Sequence, residues 1–284
     1  MLQKFLNLFA KSKNSIGDVA QYYDQWTDRY LEVGENLIEA YRTKNINELL
    51  NYYIQSMGLK DGMHLLDAGC GVCGPAIHFA KHLAVEIDAL TISQVQIEIA
   101  QKLVAENKLT NQIKLKRGDY HNLSELYPAN SFDGVFFLEA LGHAQYPSKV
   151  ILNTLPVLKE GGFLYIKDFF LRETDDKQGK RNIKKVKKNI DKSYAYNTLD
   201  LHEILTAARK AGYKIGYIKS PEFSDDIEIR VEFEKRNNID IFKGVPPFIP
   251  NDWLEIKLLK DSSYNHNFHP LLHLKQTTCC FFCN

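Results

Sequence analysis

The chain reads as an α/β protein built on a doubly wound, mostly parallel sheet with a helical cap at its N-terminus. Three observations carry that reading. Between residues 63 and 218, short apolar runs alternate with segments of helical period, as parallel strands joined by crossover helices require. The first run, Met63–Asp67, ends in a carboxylate and enters a glycine-rich turn, Ala68-Gly69-Cys70-Gly71-Val72-Cys73-Gly74-Pro75. Ahead of it, residues 15–60 keep a helical period and are rich in aromatics.

Each element follows from its local pattern. A helix over about 75–82 leaves the glycine turn, and Ala84–Leu90 is the second strand, with a helix over 93–107. Ile113–Arg117 is the third strand, and the turn Pro128-Ala129-Asn130 leads into the fourth, Phe132–Leu138. A helix over 148–158 precedes Glu160-Gly161-Gly162 and the fifth strand, Phe163–Asp168. Residues 172–197 form an irregular, strongly basic segment. Thr198 is placed to cap a helix over 199–211, which Gly212 ends before a strand at Tyr213–Ile218. Beyond residue 220 the clearest feature is a stiff proline loop, Val245-Pro246-Pro247-Phe248-Ile249-Pro250.

Composition narrows the function classes. The 284 residues suit one large domain, and the 44% hydrophobic content suffices for a core without metals or disulfides. Thirty-six Lys+Arg against 35 Asp+Glu leave no global field to draw nucleic acid. No apolar run approaches the ~18 residues of a membrane span, so no stable membrane insertion is expected. Leu2, Phe5, Leu6 and Phe9 fall at helical spacing, in a run too short and interrupted for a signal peptide. Cys70/Cys73 and Cys280/Cys283 form two CxxC pairs, with Cys279 adjacent. The pairs are too far apart for a zinc ribbon, so no metal site is expected. The odd cysteine count and the missing signal peptide point to a reducing cytoplasm.

The glycine turn itself admits two cofactors. Gly69, Gly71 and Gly74 spell GxGxxG, and Asp88 stands near the place of the acidic residue that binds the ribose of a nicotinamide dinucleotide. Asp67, directly before the turn, argues against a dinucleotide. A carboxylate at that strand end attracts an ammonium, such as that of S-adenosylmethionine, and repels a diphosphate.

The segment LLDAGCGVCGP, Leu65–Pro75, resembles motif I of S-adenosylmethionine-dependent methyltransferases with a Rossmann-like sheet. Further blocks follow in the order of that family: Tyr22-Tyr23-Asp24, Leu90–Gln96, Arg117-Gly118-Asp119-Tyr120, Ser131–Val135 and Leu158–Gly162. The resemblance covers residues 18–218 and implies a seven-stranded sheet. Within the superfamily the chain is most similar to sterol and prenyl diphosphate C-methyltransferases and, more distantly, to cyclopropane fatty acid synthases. GCGVCGP resembles the GCGVGGP of the sterol enzymes, with Cys73 in place of a glycine, and Glu139–Ala144 resembles their EA-x-x-HA. Arg29–Glu35 stands where those enzymes carry an aromatic-glycine segment, so the resemblance does not name a sterol as the substrate.

What the resemblance implies is specific. Gly69 and Gly71 would approach the methionyl part of S-adenosylmethionine, and Asp67 would support its ammonium. Thr91 and Gln96 match positions near the ribose, Asp119 and Tyr120 lie where the adenine would sit, and Tyr23 matches an aromatic that closes over the cofactor from the cap. The expected division is a cap over residues 1–60, a cofactor-binding core over 61–220 with a basic lid at 172–197, and an extension over 221–284 covering the acceptor site.

Glu139 and His143 follow the fourth strand, at the sheet edge where ligands bind. Their i, i+4 spacing would put both on one face of a helix. Glu139 is expected to stabilise a cation or bind the acceptor, and His143 to take a proton. The lysines between 177 and 192 suit a mobile lid or a clamp on a prenyl diphosphate. The reading is therefore a methyltransferase acting on a hydrophobic small molecule, a natural product or isoprenoid, with carbon methylation favoured. An N-methyltransferase of an indole or amine, a nicotinamide-dependent oxidoreductase and a non-catalytic S-adenosylmethionine-binding protein are the alternatives.

Overall fold

Seven strands form one sheet: β1 (His64–Ala68), β2 (Glu86–Thr91), β3 (Ile113–Arg117), β4 (Phe132–Leu138), β5 (Leu158–Leu171), β6 (Tyr213–Lys219) and β7 (Asn251–Lys260). Their order is β3-β2-β1-β4-β5-β7-β6. The first five are parallel to one another, and β7 runs antiparallel between β5 and β6. The winding direction reverses between β1 and β4, so a crevice opens beyond their carboxyl ends. The computed structural model describes residues 13–34, 36–223 and 227–263. The segment at Leu2–Phe9 and Cys279, Cys280 and Cys283 lie outside them.

Alternation along the strands divides the core in two. Leu66, Leu90, Val135, Phe137 and Leu164 pack on one face of the sheet. Leu65, Ile87, Phe136 and Tyr165 pack on the other. Each central strand thus has two buried faces, which is why these segments read as continuous apolar runs.

Helices α1 (Ile16–Gly34) and α2 (Ile46–Met57) form the cap. Asn45 starts α2 by accepting from the Glu48 N–H, and Gly58 ends it in the left-handed region at φ 70°. Helix α3 (Gly74–His82) leaves the glycine turn, and α4 (Gln94–Glu106) follows β2, capped by Ser93. Asp24 of α1 accepts from the Ser93 hydroxyl at 2.6 Å and from the Val95 N–H at 3.3 Å. The Tyr22-Tyr23-Asp24 block therefore pins the cap to the end of β2, and it fixes Tyr23 over the sheet edge. A short helix α5 (Leu123–Leu126) and α6 (Pro147–Thr154) complete the layer before β5.

Four features depart from the sequence reading. The basic segment contains a regular helix, α7 (Lys177–Ser193), with Val186 and Ile190 buried and most of its lysines exposed. Helix α8 (Leu201–Ala211) is capped by Asp200; the Thr198 hydroxyl donates instead to Asp191 at 2.5 Å. The fifth strand is longer than expected, because Gly161-Gly162 lies within it. Residues 251–260, unreadable in sequence, complete the sheet as β7. Helix α9 (Ile227–Arg236) packs Phe233 against Tyr30 of the cap, with ring centroids 4.4 Å apart. Among the described residues no helix is long and apolar enough to cross a membrane.

Candidate functional site

The glycine turn is held by the neighbouring strand. The N–H groups of Gly69 and Cys70 both donate to the Leu90 carbonyl, at 2.8 and 2.9 Å. Gly69 has φ 101°, and a Cβ there would stand 2.5 Å from the Cβ of Ala140. A side chain at Gly69 is therefore excluded on both conformational and steric grounds. Cys73 begins α3 at φ 69°, a conformation that costs a non-glycine residue and accounts for the glycine that sterol enzymes carry there. Cys70 and Cys73 are buried free thiols within the turn, and burial pushes the Cys70 thiol well up. Among the described residues no cluster suits a metal ion.

The ten residues that the methyltransferase resemblance and the strand-end positions marked in the sequence all line one crevice over this turn: Tyr23, Asp67, Gly69, Gly71, Thr91, Gln96, Asp119, Tyr120, Glu139 and His143. Asp67 is 2% exposed, and its Oδ2 has no hydrogen-bond partner. Burial, and then the charge of Glu39, push its carboxyl well above the usual range. Such a group is satisfied by a cationic ligand. The Thr91 hydroxyl donates to Gln96 Oε1 at 2.6 Å, joining the end of β2 to the first turn of α4. Asp119 is partly buried, which raises its carboxyl, but hydrogen bonds from His121 outweigh that and hold it below its ordinary value. The Tyr120 hydroxyl donates to the Ala140 carbonyl at 3.1 Å. Asp88, the acidic residue that a dinucleotide needs, sits in mid-strand with its carboxylate 2.6 Å from His64 Nε2. It does not line the crevice.

A second compartment of about 460 Å³ adjoins the first and is mostly apolar. Its walls come from the cap, β5, the segment after α7, α9 and the proline loop; Tyr30, Phe169, Tyr194, Tyr196 and Phe233 supply aromatic faces. Its size and lining suit a hydrophobic small molecule. Tyr23, Leu37, Ile38, Glu39, Glu139 and His143 line both compartments and form the junction between them.

At the junction the Tyr23 hydroxyl lies 2.7 Å from His143 Nε2, and His143 Nδ1 lies 3.1 Å from the Ala195 carbonyl. A carbonyl only accepts, so Nδ1 carries the hydrogen and Nε2 accepts from Tyr23. Burial lowers the His143 imidazole to about 4, so it is neutral at pH 7. Glu139 and His143 do not share a helical face: Glu139 is left-handed at φ 50°, and a 3-10 turn, Leu141–His143, follows. That tighter path still brings both to the junction. Gly142 within it makes room for Tyr196, whose ring a Cβ would meet at 2.0 Å.

Glu139 is anchored from two sides. Its Oε2 accepts from the Ala40 N–H at 2.6 Å and its Oε1 from the Tyr41 N–H at 3.0 Å, while Oε1 also pairs with Lys167. Burial raises its carboxyl to about 7, against the opposing charge of Lys167. Lys167 is fully buried and also bonds Glu39 at 2.6 Å and the Tyr41 carbonyl at 2.5 Å. The linker between α1 and α2 is thereby tied to the carboxyl ends of β4 and β5. Sequence reasoning missed Glu39 and Lys167, whose significance depends on contacts across 128 positions of chain.

The lysines of α7 do not line the second compartment; that helix contributes Ile190. A diphosphate clamp on α7 is therefore not what this arrangement provides. Arg42 does line the chamber, but its guanidinium donates to the Gly34 and Leu37 carbonyls.

Fold and site together define an α/β protein with a nucleotide-type cofactor crevice at the switch point of its sheet and a mostly apolar chamber beside it. The chain belongs to the mycolic acid cyclopropane synthetase family, which it matches over residues 21–221. It is 31% identical over 166 residues to the sterol 24-C-methyltransferase ERG6A of Gibberella zeae, covering 58% of this chain and 43% of that protein. A second similar relative is the sterol 24-C-methyltransferase erg6 of Aspergillus fumigatus, at 30% identity with the same coverage. The matched region is less than half the length of either relative. Among solved structures, the [4+2]-cyclase SpnF superposes with a TM-score of 0.70 at 22% identity, over 87% of this chain and 96% of that one. Geranyl diphosphate C-methyltransferase of Streptomyces coelicolor A3(2) gives 0.66 at 12% identity, over 88% and 99%. At such identities these likenesses show the shared fold.

Proposed function

We propose that the protein is an S-adenosylmethionine-dependent methyltransferase that methylates a carbon of a neutral, hydrophobic, isoprenoid-type acceptor. The observation that carries this reading is the junction, where a cofactor crevice and an apolar chamber meet at the Tyr23–His143 pair. The C-methyltransferases among the relatives and neighbours support it.

The residues present fit the cosubstrate. Asp67, with its unpartnered oxygen, would hold the ammonium, and Gly69 and Gly71 would admit the methionyl chain. Thr91 and Gln96 would meet the ribose, Asp119 and Tyr120 the adenine, and Tyr23 would close the crevice from the cap. When bound, S-adenosylmethionine supplies an electrophilic methyl group.

The remaining work falls to the protein. The chamber holds the acceptor in line and keeps water out, which provides much of the acceleration. An alkene that gains a methyl group becomes a cation, and the Tyr196, Tyr30 and Phe169 faces are available to offset that charge. The adjacent C–H proton passes to the Tyr23 oxygen as the Tyr23 hydroxyl proton passes to His143 Nε2. The C–H electron pair then closes the new double bond. An imidazole near 4 accepts from so strong an acid. It would not deprotonate an alkylammonium, with a pKa of about 10, which favours carbon over amine acceptors.

The test is a panel of neutral isoprenoids, sterols, prenyl diphosphates, amines and indoles incubated with methyl-trideuterated S-adenosylmethionine. The expected product is a neutral isoprenoid with all three deuterons on a carbon-bound methyl. Label on nitrogen, or no transfer to any isoprenoid, would overturn the acceptor assignment; loss of one deuteron would indicate a bridging methylene.

A further inference from the structure

The junction holds two carboxylates, and only one of them has an oxygen to spare. Both oxygens of Glu139 are bound, by the Ala40 and Tyr41 N–H groups and by Lys167. Those bonds fasten the cap linker and leave little for a ligand. Glu39 differs. Its side chain is 2% exposed, and its Oε2 accepts from Lys167 Nζ at 2.6 Å and from the Tyr53 hydroxyl at 2.5 Å. Its Oε1 is buried without a partner.

Position and charge then assign a use to that oxygen. Glu39 lines both compartments, whereas Asp67 lines only the cofactor crevice. Two carboxylates share the single ammonium of Lys167, so with both ionised the cluster carries one excess negative charge. Arg42 is turned to the Gly34 and Leu37 carbonyls. The rings of Tyr41, Tyr53, Phe223 and Trp253 surround Lys167 at 5.6–5.8 Å, so that aromatic cage already serves the protein's own cation. A buried carboxylate oxygen with no donor is costly, and a cation arriving at the junction relieves that cost.

We propose that Glu39 is the counter-ion for the positive charge borne by the acceptor, which makes the junction a binding site for tertiary ammonium ions shaped like the acceptor. This rests on the methyltransferase reading, since it is methyl transfer that gives the acceptor its charge. Glu139 is then a positioning residue that closes the linker, and Asp67 serves the cofactor.

The experiment compares two ligands of one shape: N,N-dimethylfarnesylamine, an ammonium at neutral pH, and the hydrocarbon with CH in place of its NH⁺. Affinities are measured with and without S-adenosylhomocysteine for the wild type, Glu39→Gln, Glu39→Asp and Glu139→Gln, each checked by thermal melting. The wild type is expected to prefer the ammonium roughly tenfold or more. Glu39→Gln should erase that preference with little change in S-adenosylhomocysteine affinity, and Glu39→Asp should keep part of it. If Glu39→Gln does not fold, a wild-type preference that Glu39→Asp weakens and Glu139→Gln retains supports the assignment. A preference unchanged in the folded Glu39 variants, or absent from the wild type, overturns it. So does a loss that merely tracks weaker S-adenosylhomocysteine binding, which would make Glu39 a cofactor ligand. A wild type that binds no S-adenosylhomocysteine yet shows the Glu39-dependent ammonium preference overturns the methyltransferase reading instead and leaves a cation site of other purpose.

Discussion

Tyr23 and His143 stand 120 positions apart in sequence and 2.7 Å apart in the fold, with the phenol donating to a neutral imidazole. Burial keeps the phenol protonated and the imidazole uncharged. The pair is therefore poised to move one proton inward. Tyr23→Phe keeps the ring and removes the relay. We expect kcat to fall about 100-fold, with S-adenosylhomocysteine affinity within about twofold. His143→Ala should cost a similar factor, and the double variant little more, because the two act as one unit. Steady-state kinetics on the single and double variants check this; multiplicative losses would contradict a shared step.

Stability should depend on pH through the same histidine. Its imidazole falls from 6.5 to about 4 on folding. Between those values the unfolded chain binds a proton that the folded protein refuses, so His143 withdraws stability as pH falls. Asp168 and Glu139, raised by burial to about 6 and about 7, act in the opposite sense. Replacing His143 with Gln should thus improve stability at pH 5 relative to pH 7 by about 2 kcal/mol against the wild type. Denaturant melts at the two pH values provide the comparison, and equal differences in both proteins would refute it.

Lys167 is the centre of a buried cluster, with no solvent exposure and two carboxylate partners. Lys167→Met leaves both acids without their cation and should cost about 3–5 kcal/mol. Replacing Glu39 and Glu139 with Gln in the same chain should recover part of that loss. A Lys167→Met protein as stable as the wild type would show that the cluster does not hold the cap linker.

Gly69→Ala should be damaging twice over. The backbone at φ 101° resists a side chain, and the new methyl would stand 2.5 Å from Ala140 Cβ. A destabilisation of about 2 kcal/mol or more is expected, together with loss of S-adenosylhomocysteine binding. Gly161→Ala is the control: its φ is also positive, at 76°, but nothing lies within 4 Å of its Cβ, so it should pay for conformation alone and bind normally.

The parallel half of the sheet was legible because its central strands are buried on both faces and its strands are followed by a turn or helix start of distinct composition. The glycine turn, and the residues at the ends of β1, β2 and β4, could be placed because topology forces strand ends to one edge. Strand β7 was not legible. It pairs with β5 and β6 from the far end of the chain, and Asn251–Lys260 mixes four charged residues with its apolar ones. One of them, Glu255, is fully buried and bonds Ser56 at 2.5 Å, a contact that no periodicity announces. Helix α7 was hidden by its lysines, since only Val186 and Ile190 are buried. Glu39 was hidden because the value of a carboxylate depends on which oxygens its neighbours already use.

The proposed function rests on what the crevice over Asp67 and Gly69 binds. Titration calorimetry with S-adenosylhomocysteine and, separately, with NAD tests it most directly, using the wild type and Asp67→Ala. Micromolar binding of S-adenosylhomocysteine, no binding of NAD, and loss of the former in Asp67→Ala are the expected results. Binding of NAD with none of S-adenosylhomocysteine would contradict that function.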